Sequence, residues 1–557
     1  MAEVSFYPDN ISITVEEGVT ILQAARRAGI VIESPCNAVG TCGKCKVKLD
    51  KQSILNVVTG SRHHLSEDDE KQGYVLSCEA LITGDITVEV IRNQRNDTLR
   101  ILGKGQSFDV RLEPLIKKEY IEKSNFTRVF ADEKDLGMEK GDTRDKHFGA
   151  VVDIGTTTLV AAIVDLRDGS EIGTASSLNP QAVHAQDVLS RIKFSSEAEG
   201  LQVMHTCIIG EINSLLLEIA QAANINHENI YEIVFSGNTC MLHLASNINP
   251  KALGKYPYTP EISGGSYLNS AEYKLAISSF GIIYLPPIIS AYVGADITSG
   301  VLAAQLHKIN GITLFVDIGT NGEMVIALDG NLSAASTAAG PAFEGMNITH
   351  GMRAGQGAIE FFEIEQQGSI NIKVIGDTKA SGICGSGLLD VVGELVAHGV
   401  INKNGKFVDV ETSDIQPQLK ERLIKHEGKW VFKLTDSVYL SQKDVRQVQL
   451  AKGAVRAGIE FLLESKKLKA VDVDRVLIAG SFGYHLRVKS LINLGLLPKA
   501  FDGKVEFIGN TAKSGGHAFL LAKPYRTELE RVVKTVEVVE LANHKDFDKV
   551  FVNCLGF

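Results

Sequence analysis

Four of the eight cysteines fall at positions 36, 42, 45 and 78, and the other four stand singly at 207, 240, 384 and 554. Ser34-Pro35-Cys36-Asn37-Ala38-Val39-Gly40-Thr41-Cys42-Gly43-Lys44-Cys45 is a C-x5-C-x2-C loop, and Cys78 comes later in Leu76-Ser77-Cys78-Glu79. Three thiolates from one loop and a remote fourth are what a 2Fe-2S unit needs; the plant-type spacing is C-x4-C-x2-C, so the first gap here is one residue longer. Gly40 and Gly43 suit a loop that must aim backbone N–H groups at sulfides. A zinc site would pair two C-x2-C knuckles or add histidines at ligand spacing, and only Cys42 and Cys45 form a knuckle. The pattern predicts one 2Fe-2S cluster on Cys36, Cys42, Cys45 and Cys78.

A second set of residues surrounds two aspartates. Gly149 to Asp165 reads as strand, tight turn and strand around Asp153-Ile154-Gly155-Thr156-Thr157, and the arrangement recurs from Leu314 to Ile326 around Asp317-Ile318-Gly319-Thr320-Asn321. The residues after Gly155 are β-branched and apolar, so the turn leads into a strand. A P-loop or dinucleotide fingerprint would lead into a helix and needs Gly-x4-Gly-Lys or Gly-x-Gly-x-x-Gly, and neither is present. Duplicated hairpins are implied, at 151–164 and 314–327. Two such hairpins across a cleft resemble the actin, sugar kinase and chaperone ATPase superfamily. The resemblance implies that the turn amides and Thr hydroxyls of Gly155, Thr156, Thr157, Gly319, Thr320 and Asn321 hold the phosphates of ATP. Asp153 and Asp317, at the strand ends, offer hard oxygens to Mg2+ or to an attacking water. Val476 to Gly483 is a strand ending in a glycine turn that resembles the superfamily's adenosine motif, with Gly480, Ser481 and Gly483 against base and ribose. Gly385 and Gly387 open the helical run Leu388 to His398, so their amides could also meet an anion; tight helix packing explains them equally well.

The elements that must position these groups are legible in part. Val4–Tyr7 and Ile11–Val15 read as a β-hairpin, and Thr20–Ala28 has helical spacing after a Gly18 turn. This is expected to be an α+β, β-grasp ferredoxin domain over 1–93. Residues 94–146 read as a linker or small middle segment: Ala131 to Lys146 is dense in charge, and Ser107–Lys123 has the periodicity of a strand or short helix. The remainder, 147–557, is expected to be an α/β two-lobed ATP-binding domain. At 557 residues the chain is too long for one core, and 44% hydrophobic and 22% charged residues exclude disordered and fibrous classes. A net charge of −10 without a dense Lys/Arg stripe argues against nucleic acid as partner. Ile282–Ile297 is apolar but carries Pro286, Pro287 and Asp296, which predicts a buried strand and loop rather than a membrane span. With no export signal visible, a cytoplasmic location is expected. Cys207, Cys240 and Cys384 read as small core residues; Glu344, His350 and Arg353 follow the glycine-rich segment Ala338 to Gly345 and could line the cleft, with solvated loop residues the safer reading.

The longer first gap of the cysteine loop resembles adrenodoxin-type ferredoxins. Asn179-Pro180-Gln181, Asp187-Val188-Leu189-Ser190-Arg191-Ile192, Gly237-Asn238-Thr239, Pro286-Pro287, Gly294-Ala295-Asp296 and Cys384-Gly385-Ser386-Gly387-Leu388-Leu389-Asp390 extend the likeness over essentially the whole chain, to the reductive activators of corrinoid proteins. The resemblance implies an enzyme that uses ATP to restore Co(I) from Co(II) in the corrinoid of a methyltransferase partner in anaerobic metabolism. It also implies an external electron donor and a homodimer. Three readings stand beside it: an activator of another reductase, such as a 2-hydroxyacyl-CoA dehydratase; a redox-linked small-molecule kinase; and an electron-transfer ferredoxin with a vestigial nucleotide site.

Overall fold

The computed structural model describes residues 1–557 except 9, 29, 31, 33–44, 61–64, 66, 91–110, 366–367, 481–485 and 542–543. Cys36, Cys42, Ser481 and Gly483 therefore lie outside the described residues. The chain forms two compact units, one of Met1–Asp97 with Pro180–Phe194 and one of Thr98–Asn179 with Ser195–Phe557.

The first unit carries a five-stranded sheet in the order Ile11–Val15, Ala2–Tyr7, Ile86–Val90, Lys46–Leu49, Tyr74–Leu76. Ala2–Tyr7 alternates buried and accessible residues because one face packs on the core, and it pairs parallel with Ile86–Val90. The helix Ile21–Arg27 begins at a capping box: the Thr20 side chain accepts the Gln23 N–H, and the Gln23 side chain accepts the Thr20 N–H. Ile21, Leu22, Ala24 and Ala25 turn inward onto Val4, Phe6 and Val88, which gives the expected β-grasp core.

In the second unit, residues 116–140 form a three-stranded antiparallel sheet, Lys134–Lys140, Phe126–Ala131, Ile116–Ile121. The charge-dense stretch is thus an ordered strand. Glu139 within it is satisfied by residues distant in sequence: Lys118 Nζ lies 2.8 Å from Glu139 Oε2 and donates to Tyr231 Oη at 2.8 Å, while Tyr231 Oη donates to Glu139 Oε1 at 2.5 Å.

Two six-stranded sheets come next, built to one plan. In the first, Glu171–Leu178, Thr158–Asp165, Phe148–Ile154, Ile230–Gly237, Ile282–Leu285 and Ser266–Asn269 lie in that order. In the second the order is Glu537–Val538, Asn331–Thr337, Gly322–Leu328, Ile312–Ile318, Arg475–Ala479, Val505–Gly509. In both, an antiparallel hairpin is extended by a third antiparallel strand on one side and by two parallel strands on the other. The duplication predicted from the two Asp-x-Gly-Thr turns therefore extends to five strands in each half. Strands buried on both faces read as continuous apolar runs, and Ile230–Gly237 is buried at every position.

The helices Ala295–Ala303 and Thr511–Leu521 pack between the halves at backbone contact, since a Cβ on Gly515 would lie 2.0 Å from the Ser299 carbonyl oxygen. Ile282–Leu285 is a strand, as expected of that apolar run. Among the described residues one helix, Ala198–Ala222, is long and apolar enough to cross a membrane, and half of its most apolar window is packed inside the fold.

Candidate functional site

Cys45 ends the cysteine loop where Lys46–Leu49 begins, and Cys78 lies just beyond Tyr74–Leu76. These strands pair antiparallel with Lys46 opposite Leu76, and the Ser77 N–H donates to the Cys45 carbonyl at 2.9 Å. That register brings Cys45 Sγ and Cys78 Sγ to 3.2 Å. Cys45 is 1% exposed, yet its pKa is pushed down to about 6, chiefly by the contact with Cys78 against the opposing effect of burial. A thiol that ionises so readily is a ligand type. The donor set fits an iron–sulfur cluster as far as the described residues reach.

In the second unit the two hairpin turns face each other: Thr157 Oγ1 and Thr320 Oγ1 are 3.2 Å apart. The first turn is closed by the Gly155 N–H donating to the Thr158 carbonyl at 3.1 Å, and a Cβ on residue 155 would lie 2.5 Å from that oxygen, so only glycine fits. Two asparagines fix the turn from behind. Asn179 Nδ2 donates to the Gly155 carbonyl at 2.9 Å, and Asn238 Nδ2 donates to Thr156 Oγ1 at 3.0 Å. Asn238 also caps the helix Thr239–Ala245 by accepting the Met241 N–H. Asn510 repeats the device: it caps Thr511–Leu521 and donates from Nδ2 to Asp153 Oδ2 at 2.7 Å. In the second hairpin, the Gly319 N–H donates to the Asn321 carbonyl at 3.0 Å, and the Gly340 N–H donates to the Thr320 carbonyl at 2.9 Å.

Four carboxylates gather here. Burial pushes the Asp153 carboxyl up to about 6, with the Asn510 hydrogen bond and the Lys513 charge pulling the other way. Asp296 is raised to about 7 by burial and by the charge of Asp153, and Asp317 to about 8 by burial and then by Asp296 and Asp153. Glu323, 6% exposed, is held well above the carboxylate range by burial and by Asp296 and Asp317. Like charges crowded where solvent is poor mark a place that a cation would relieve. Among the described residues, no three His, Cys, Asp or Glu side chains converge on one metal position.

Asp153, Gly155, Thr156, Thr157, Asp317, Gly319, Thr320 and Asn321 thus come together. Gly480 ends the strand Arg475–Ala479, its N–H donating to the Gly509 carbonyl at 3.2 Å. Gly385 and Gly387 lie in the buried first turn of the helix Gly385–Ala397, where a Cβ on Gly387 would meet the Ile359 carbonyl oxygen at 2.0 Å, so close packing accounts for Gly387. Asp296, Glu323 and Asn510 join the site as well, Asp296 from the Gly294-Ala295-Asp296 stretch of the family likeness and Asn510 from a repeat of the Gly237-Asn238-Thr239 pattern. Glu344, expected to be solvated, is instead half-buried and accepts the Thr320 hydroxyl at 2.6 Å, because the turn Pro341–Glu344 folds back on the second hairpin. Cys240 and Cys384 are buried, as small core residues should be, and Cys207 is half-buried.

Residues 6–83 match the 2Fe-2S iron-sulfur cluster binding domain, 148–309 the RACo middle region, and 311–557 the C-terminal domain of RACo, the ASKHA domain. The corrinoid activation enzyme RamQ of Eubacterium limosum is 33% identical over 72% of this chain and 69% of its own. The [Co(II) methylated amine-specific corrinoid protein] reductase of Methanosarcina barkeri is 24% identical over 74% and 77%. Among solved structures, a reductive activator for corrinoid, iron-sulfur protein superposes with TM-score 0.74 and 30% identity over 100% of this chain and 98% of its own. With a ferredoxin unit, a duplicated nucleotide-type fold and full-length similarity in one chain, the protein belongs to the RACo family.

Proposed function

We propose that this protein is an ATP-hydrolysing reductive activator, which takes an electron from an external donor and delivers it to the Co(II) corrinoid of a partner protein, restoring Co(I) in a methyltransferase system. The observation that carries this reading is the full-length similarity to a reductive activator, in a chain that pairs Cys45 with Cys78 and gathers the buried carboxyl groups of Asp153, Asp296, Asp317 and Glu323.

Cys36, Cys42, Cys45 and Cys78 would hold a 2Fe-2S cluster, which supplies a one-electron couple. In the cleft the turns at Gly155, Thr156 and Thr157 and at Gly319, Thr320 and Asn321 would cradle the phosphates. Gly480, Ser481 and Gly483 would meet the adenosine, and the Gly385 and Gly387 amides remain the outer candidates. Asp153 and Asp317 would hold Mg2+ through its water shell. Reducing Co(II) to Co(I) is uphill from an ordinary ferredoxin, so the electron must be coupled to ATP or to a change of cobalt ligation on docking. A nucleotide fold in two halves offers the moving part. This reading takes 1–93 as the ferredoxin domain, 94–146 as the connection and 147–557 as the ATP-binding domain, in a cytoplasmic homodimer.

The test is an anaerobic titration of candidate corrinoid proteins with this protein, a reductant and ATP, following the cobalt absorption spectrum. Appearance of the Co(I) bands only with ATP and both proteins supports the reading. Phosphorylation of a small acceptor instead would favour the kinase.

A further inference from the structure

The hydroxyl of Thr320 has a single proton to give, and the structure shows where it goes. Thr320 Oγ1 donates to Glu344 Oε1 at 2.6 Å. A carboxylate accepts only, so the direction of that bond is fixed. The contact of 3.2 Å between Thr157 and Thr320 then has one donor available, the Thr157 hydroxyl. Thr320 consequently accepts from Thr157 and keeps one lone pair, and no proton, for a further group. Phosphate oxygens are acceptors as well, so in this state the Thr320 hydroxyl does not serve them, and the part of this turn in cradling phosphate falls to its backbone amides; the hydroxyl serves a donor.

Glu344 is held firmly enough to impose this. It ends the turn Pro341–Glu344, whose Phe343 is fully buried, and the next N–H, that of Gly345, donates to the Ala342 carbonyl at 3.0 Å. Gly345 has φ +77°, and a Cβ there would lie 2.6 Å from the Met352 carbonyl oxygen, so the chain after Glu344 has one close-fitting path. The second carboxylate oxygen, Oε2, is buried and has no hydrogen-bond partner among the described residues. Oε1 is therefore the oxygen committed to Thr320.

We infer that Glu344 is a positioning residue that fixes Thr320 as the hydrogen-bond acceptor for the water attacking the terminal phosphate of ATP. This rests on the nucleotide-site reading above. A water that donates one O–H to Thr320 Oγ1 keeps its own lone pair for phosphorus. Its oxygen bonds to the γ-phosphorus as the bond from that phosphorus to the bridging oxygen of ADP breaks; one water proton stays on the inorganic phosphate and the other leaves to solvent. Glu344 touches no reacting atom and acts through Thr320.

The experiment compares E344A, E344Q, T320V and T320S in the full chain, reading ATP hydrolysis under saturating nucleotide together with direct binding of a non-hydrolysable ATP analogue. E344A and T320V are expected to lower kcat by about tenfold to hundredfold while analogue affinity holds within about threefold, the scale of a misplaced reacting group. E344Q keeps an oxygen that accepts the Thr320 proton, and T320S keeps the hydroxyl, so both should restore much of the rate. E344A/T320V should be no slower than T320V, because the two residues act as one unit. Unchanged kcat in E344A, or equal losses in E344A and E344Q, overturns the proposal, the second outcome pointing to direct proton transfer by Glu344. If E344A does not fold, E344Q and the Thr320 pair decide alone. A wild-type chain that binds no analogue defeats the nucleotide-site reading itself, and that result is separate from both.

Discussion

Asn510 and Asp153 lie 357 residues apart in sequence and are joined by a hydrogen bond of 2.7 Å, donated by Asn510 Nδ2 to Asp153 Oδ2. The same asparagine accepts the Lys513 N–H with Oδ1 at 2.8 Å, so one side chain both starts the helix Thr511–Leu521 and steadies the aspartate of the first hairpin. A bond donated to a carboxylate favours its ionised form.

Removing that donor should therefore raise the Asp153 pKa above its value of about 6. For N510A, the acid limb of the pH profile of ATP hydrolysis should move to higher pH. Loss of the cap should also cost about 1 kcal/mol in unfolding free energy. N510D keeps the cap but replaces the donor with a charge, so it should move the limb further up while sparing the helix. An acid limb that stays in place in both variants would separate Asp153 from the reaction.

The crowded carboxylates carry a stability prediction whose sign is opposite to that of an ordinary surface aspartate. Asp153, Asp296 and Asp317 sit at about 6, 7 and 8 in the folded chain, above the 3.8 of a free aspartate. The native state then binds more protons than the unfolded state between about pH 4 and pH 8, so stability from this cluster is present below that window and is lost as pH rises through it. Without nucleotide or Mg2+, D317N should be more stable than the parent at pH 8 by about 1–3 kcal/mol, with the difference vanishing near pH 4. Added Mg2+ should narrow the gap at pH 8. Thermal unfolding at the two pH values checks both statements, and a gap independent of pH contradicts them.

Reconstituted protein should hold two iron and two sulfide per chain, the stoichiometry of one 2Fe-2S unit. C42A and C45A should each lose the visible absorption and the paramagnetic signal of the reduced state. D153A and D317A should impair ATP hydrolysis and leave that signal intact. A full-strength signal in C45A would refute the ligand assignment despite the 3.2 Å approach of Cys45 to Cys78.

Cysteine spacing and the repeated Asp-x-Gly-Thr turn are legible before the fold because they are local signals, and each marks chemistry that a few adjacent residues can carry. Asp296, Glu323 and Glu344 have no such signature. Asp296 sits in the apolar stretch that becomes the helix Ala295–Ala303, and only the packing of that helix between the two sheets brings it near Asp317, whereas Glu323, in the buried strand Gly322–Leu328, lies directly opposite Asp317 across the hairpin. A buried glutamate beside Met324, Val325 and Ile326 is itself a clue, since an apolar strand rarely buries a carboxylate without a task. Asn510 could be found from the repeat of Gly237-Asn238-Thr239 as Gly509-Asn510-Thr511, strand end, cap and helix start in each. The stretch 134–140 misleads because its charges meet partners on other elements, Glu139 with Lys118 and Tyr231 and Asp135 with Arg128.

Coupling separates an activator from a ferredoxin with a passenger domain, and the grouping of Pro180–Phe194 with Met1–Asp97 decides how to test it. Deleting residues 1–93 would strip that segment of the unit it packs in, so a clusterless full-length chain such as C42A is the cleaner variant. If nucleotide closes the halves of the second unit about Thr157 and Thr320, the corrinoid protein should bind with different affinity in the nucleotide-free and ATP states. Linkage then requires the corrinoid protein to change ATP affinity by the same factor, typically about 5-fold to 150-fold for a coupling of this kind. C42A should keep that reciprocal effect, and its ATP hydrolysis should still respond to the corrinoid protein, while cobalt reduction is lost. Equal affinities for the partner with and without ATP, together with cobalt reduction that proceeds without nucleotide, would leave the second unit without a part in electron transfer.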